Sequence, residues 1–184
     1  MQLSRVIGIR LRRVLAVLVT IACAGLVSVA GTATSHAALA DIVCTTSGTT
    51  TYNPGLTYTP QTSAITTQTA FAPCVSLSAP LVTSGARSAN FSRPDQSCLT
   101  LLESGTGTNT ITWNTGQTTT AQFTVTSTVA GGIRTTTQTG TVTAGLFTGD
   151  TFLNVVTAPT TDLLNCVLPG GLTSTSGTGL LTIT

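Results

Sequence analysis

Four carboxylates stand where acid–base chemistry could be built: Asp95, Glu103, Asp150 and Asp162. A glycosidase needs two such groups across a cleft. Each also has a local structural explanation. Asp95 follows Arg93-Pro94 and Asp150 follows Gly149, both of them turn settings. Glu103 precedes Ser104-Gly105, and Asp162 follows Pro159-Thr160-Thr161, where it can cap a segment from Leu163. Basic partners are scarcer still. Lysine is absent and His36 is the only histidine. Beyond it no Ser–His or Ser–Lys pair, lysine Schiff base or histidine metal ligand can be assembled. A calcium site on Asp150 or Asp162 would lack a recognisable loop motif. The expectation is a non-enzyme with no catalytic residue, no metal and no cofactor.

Aromatic side chains are the other groups that could make a site. Tyr52, Tyr58 and Trp113 are the candidates for binding a glycan or peptide by stacking. Tyr52 and Tyr58 flank Pro54-Gly55, so Thr51 to Pro60 reads as a loop that exposes both rings. Trp113 shares strand parity with Ile111, which favours core packing over contact with a ligand.

Residues Val14 to Ala30 form an apolar run, preceded by Arg5, Arg10, Arg12 and Arg13 and followed by Ser35-His36-Ala37-Ala38-Leu39-Ala40. A basic start, an apolar stretch and a small-x-small site make a secretory signal peptide over residues 1–40, with cleavage after Ala37 or Ala40. Arg12-Arg13 is also compatible with twin-arginine export. The remainder, 41–184, is expected to be a single secreted domain. It carries Arg87, Arg93 and Arg134 against five carboxylates, a net charge of −2. There is no basic patch for phosphates, so nucleic acid is excluded as a partner. The partners such a chain implies are a cell-envelope glycan or an extracellular protein, with no membrane span after signal cleavage.

Removing Cys23 with the signal leaves Cys44, Cys74, Cys98 and Cys166. An even number in an exported chain implies two disulfides, in one of three connectivities. Cys44–Cys74 and Cys98–Cys166 is the favoured pairing. The first pair ends two segments folded about a turn near Thr59, and the second shares similar leucine-rich surroundings. No C-x-x-C pair is present to suggest zinc or iron–sulfur.

These groups must be positioned by strands. Threonine supplies 40 of the 144 residues from Asp41 onward, and it favours extended backbone. Phe123, Val125 and Val129 alternate with Gln122, Thr124, Thr126 and Thr128, a period of two with one face wet. Ala130-Gly131-Gly132 turns this strand into Ile133–Thr143, and Asn114-Thr115-Gly116 links it back to Thr108–Trp113. Further strands are read at Ile42–Tyr52, Ala64–Ala72, Gly85–Phe91, Phe152–Thr157 and Leu172–Thr184, with a helical turn at Leu99–Glu103. Eight short antiparallel strands with turn residues between them predict an all-β, immunoglobulin-like two-sheet sandwich, with a closed barrel as the alternative.

Three stretches carry a resemblance: Tyr52-Asn53-Pro54-Gly55-Leu56 with Pro60-Gln61, Ile111-Thr112-Trp113-Asn114-Thr115-Gly116, and Gly140-Thr141-Val142-Thr143-Ala144-Gly145-Leu146-Phe147-Thr148-Gly149-Asp150. With the four cysteines, the chain resembles small secreted Thr/Ser/Gly-rich actinobacterial β-sandwich proteins of uncharacterised function. By class alone it is similar to enediyne-binding apoproteins of the neocarzinostatin type, exported, lysine-poor sandwiches with two disulfides. That likeness implies a small-ligand carrier. The expected function is thus a secreted, non-catalytic extracellular or cell-envelope protein with a binding or structural role. The alternatives are a small-ligand carrier and an exported inhibitor or enzyme.

Overall fold

The computed structural model describes residues 40–184. The expected signal peptide therefore lies outside the described residues, except for Ala40. Eight strands follow in order: β1 (Ile42–Leu56), β2 (Gln61–Ser76), β3 (Gly85–Gln96), β4 (Gly105–Trp113), β5 (Thr118–Ala130), β6 (Ile133–Gly145), β7 (Thr151–Pro159) and β8 (Leu172–Ile183). Two 3-10 segments, Leu99–Leu102 and Thr160–Val167, interrupt the β3–β4 and β7–β8 connections.

Each strand pairs antiparallel with its successor, and β8 returns to β1 from Ile42↔Ile183 to Thr51↔Ser174. The result is a closed eight-stranded barrel. The expected two-sheet immunoglobulin-like sandwich is therefore wrong. A sandwich needs connections that carry the chain from one sheet to the other. Here every connection joins nearest neighbours, and pairing of the first strand with the last removes both sheet edges. The expected loop at Thr51–Pro60 is also shorter than read. β1 runs to Leu56, and Gly55 lies in it at a close backbone approach rather than in a turn. A Cβ on Gly55 would fall on the Gly170 carbonyl and stand 3.0 Å from Thr173 Cγ2. By contrast, the two-residue Gly131-Gly132 turn is as read, with both residues at positive φ.

Strand alternation divides the wall. Thr124, Thr126 and Thr128 pair with Thr139, Thr137 and Thr135 on the outer face. The inner face forms two apolar plugs. At one end Ile42, Phe71, Trp113, Phe152, Leu181 and Ile183 pack around the Cys44–Cys74 disulfide, which bridges register partners on β1 and β2. At the other, Leu56, Ile65 and Leu172 pack with Tyr52 around the Cys98–Cys166 disulfide. That second bridge joins the flank of one 3-10 segment to the other.

Candidate functional site

Between the two plugs the barrel interior is polar. A belt of side chains crosses it from four strands. Thr46 Oγ1 donates to Asn154 Oδ1 at 3.0 Å, and Asn154 Nδ2 donates to Gln138 Oε1 at 3.2 Å. Asn109 Nδ2 reaches the same Gln138 oxygen at 3.5 Å. Asn109 Oδ1 is buried and has no hydrogen-bond partner among the described residues.

Against this belt lies a chamber of about 230 Å³. Arg87 enters its wall as the register partner of Thr69, so the guanidinium stem shares the inner face of β2 and β3. Arg134 enters from β6 opposite Ala158 of β7. Tyr52 closes one side, its hydroxyl 3.4 Å from Thr175 Oγ1. Gly48 and Gly177, themselves register partners, place no side chain in the space between. Among the described residues, no carboxylate lines the chamber.

The chamber opens through the wall. β3 and β4 pair only at Gly85↔Trp113 and Ala86↔Thr112 and then diverge. Asn114 pins the closed end, its Oδ1 accepting from the Thr83 and Ser84 amides and its Nδ2 donating to the Leu81 carbonyl. At the open end the chain detours through the 3-10 segment Leu99–Leu102, which the Cys98–Cys166 bridge anchors. The slit between the strands encloses about 450 Å³ and shares Arg87, Arg134, Thr136 and Gln138 with the chamber. Phe91, Phe123, Val125 and Leu101 supply its apolar wall. Phe91 faces this gap and is 40% exposed, with the Arg93 guanidinium 5.5 Å above its ring. Glu103 stands exposed at the rim. All three arginines of residues 40–184 thus converge on one opening.

Burial shapes the titrating groups. It holds the Arg87 guanidinium below its usual arginine range. It raises the Tyr52 phenol, against the opposing pull of the Thr175 hydrogen bond and the Arg134 charge. Tyr52 therefore stays a neutral hydroxyl at physiological pH.

The candidates from sequence are dispersed. Tyr52 is 7% exposed and lines the chamber, whereas Tyr58 is 53% exposed on the β1–β2 turn, so the two do not form one exposed platform. Trp113 is core. Its ring packs with Phe71 and Phe147, and its Nε1 donates to Thr119 Oγ1 at 2.8 Å. The carboxylates do not converge on the chamber, and Asp150 instead meets Asp41. Burial first, then the Asp41 charge, raises the Asp150 carboxyl above its usual range. Sequence reading missed Arg87 and Arg134; a signal for the first was available in strand parity, which puts Arg87 on the same face of β3 as Ala89 and Phe91. A broad depression of about 1120 Å³ over the outer wall is open and lined mainly by Ser and Thr, with Arg87 the one charged residue of its lining among the described residues.

No family model, curated protein or solved structure matches the chain.

Proposed function

We propose that this chain is a secreted, non-catalytic binding protein that carries a small ligand in the barrel chamber. The observation behind this reading is the unfilled polar interior, reached by a slit in an otherwise closed wall. A barrel of eight strands is just wide enough for its side chains to fill it or for one small ligand to occupy it. Here paired glycines leave the middle open. Ligand sites combine apolar walls with a few convergent polar groups, as the slit and chamber do. The two disulfides, the Thr-rich outer wall and the basic–apolar leader support an oxidising, aqueous destination.

Native mass spectrometry of the protein recovered from its producer tests this. The expected result is a polypeptide beginning after Ala37 or Ala40, with a non-covalent small-molecule adduct that is lost on unfolding. A polypeptide mass that starts at Met1 removes secretion from the reading. Absence of any adduct, together with no thermal stabilisation by extracts of the culture, removes the carrier role.

A further inference from the structure

We infer that the ligand is a small organic acid, its oxyanion head seated between Arg87 and Arg134 and its apolar body in the β3–β4 slit. This rests on the carrier reading and names its ligand class.

Residues 41–184 are net negative, yet every cation they contain faces one opening. Two of those cations share a chamber whose lining, among the described residues, holds no carboxylate, and Glu103 stands only at the exposed rim of the adjoining slit. Residues 1–40 contain no Asp or Glu, so that segment has no side-chain carboxylate to offer as a counter-charge. Like charges in a confined, partly desolvated space are unfavourable unless an anion joins them. Arginine is suited to that anion, because its planar fork binds carboxylate or phosphate oxygens in pairs. The neutral donors nearby, Tyr52, Thr136 and Gln138, can complete the shell of an oxyanion.

The body of the ligand follows from the mouth. Past the arginines, Phe91, Phe123, Val125 and Leu101 form an apolar strip along a slit whose other lining side chains are mostly polar, with Glu103 at the rim. Such an arrangement selects an amphiphile over a bare inorganic ion. Arg93 at the outer edge of Phe91 adds a positive potential along the entry path.

The test uses the oxidised full chain and four probes by titration calorimetry: octanoate, octyl phosphate, 1-octanol and acetate. Octanoate or octyl phosphate should bind about tenfold or more tightly than octanol. Acetate, lacking the body, should bind weakly. The stronger of the two anions identifies the head as carboxylate or phosphate. Arg87→Gln and Arg134→Gln should each erase the preference for the charged probe. Arg134→Lys should keep part of it, as a point charge without the fork. Circular dichroism and melting curves confirm that each variant folds, and the comparison of charged with neutral probes in the unaltered protein needs no variant. Equal binding of octanol and both anions would overturn the anion assignment while leaving the carrier reading intact. Unchanged octanoate affinity in both folded Gln variants would overturn it too. Silence of all four probes would overturn the anion assignment, whereas the carrier reading falls only if the native-mass adduct and the stabilisation by culture extracts are absent too.

Discussion

Gly85 sits bare against the indole of Trp113, the first of only two residue pairs that join β3 to β4. A Cβ at Gly85 would stand 2.5 Å from Trp113 Cε3 and 2.9 Å from Ile111 Cγ2. The ring is locked by Phe71, Phe147 and its hydrogen bond to Thr119, so it has little room to yield. Gly85→Ala should therefore overpack this junction, at a cost of about 1–3 kcal/mol. Guanidinium unfolding followed by Trp113 fluorescence measures the loss. The slit should also widen, because the junction is its hinge, and amides on β3 beyond Ala86 should exchange faster than in the parent.

Asn154 holds the polar belt together. It accepts from Thr46 on one side and donates to Gln138 on the other. Thr46 is almost wholly buried. Asn154→Ala leaves the Thr46 hydroxyl without its acceptor and the Gln138 oxygen with only the longer Asn109 contact, a loss of about 1–3 kcal/mol. Chemical denaturation reads this directly, and an unchanged midpoint would show that water replaces the asparagine without cost.

The two disulfides close loops of unequal length, 30 and 68 residues. On the chain-entropy account they contribute roughly 3.6 and 4.4 kcal/mol respectively. The longer bridge also ties together the two 3-10 segments at the open end of the slit. The double variant Cys98→Ser/Cys166→Ser should lower stability by about that larger amount. It should also release Leu99–Leu102 to faster hydrogen exchange, while the Cys44–Cys74 end stays protected.

Strands were legible in the sequence because burial on one face imprints a period of two. Phe123 and Val125 against Thr124 and Thr126 show it, and the other strand locations were legible as Thr-rich stretches bounded by Gly, Pro and Asn turns. Closure was not legible, because that alternation is common to a sandwich and a barrel. What separates them is the pairing of β1 with β8, residues more than a hundred positions apart. The chamber was half legible. Parity placed Arg87 on the face of Phe91, but nothing local says that the face turns inward. The slit is a tertiary feature, set by Asn114 at one end and the Cys98–Cys166 bridge at the other.

Asp150 and Asp41 give the fold a pH dependence. The Asp150 carboxyl is raised by burial and by the neighbouring Asp41 charge. A raised carboxyl favours the protonated native state, so its contribution to stability is full below the unfolded range near pH 4 and is lost as pH rises through the folded value. Asp150→Asn removes the repulsion. The variant should melt higher than the parent at pH 7, and the two melting temperatures should converge when pH falls below about 4. A constant difference across that range would point to packing instead of charge.

Gly48 offers the sharpest separation of binding from folding. Its parity with Thr46 and Thr50 turns its missing side chain toward the barrel interior. A Cβ there would come no nearer than 3.4 Å to the Gln68 carbonyl and Thr69 Oγ1, an ordinary contact. Glycine in a strand interior costs roughly 0.5–1 kcal/mol relative to alanine, and valine suits extended backbone well. Gly48→Val should thus leave stability unchanged or raise it by about that amount. Its two methyl groups would occupy the chamber between Arg87 and Gly177. Octanoate titration against a melting curve of the same sample distinguishes the effects: affinity should fall by about tenfold or more with the melting temperature preserved. Parent-like affinity in a folded Gly48→Val protein would move the ligand site out of the chamber altogether.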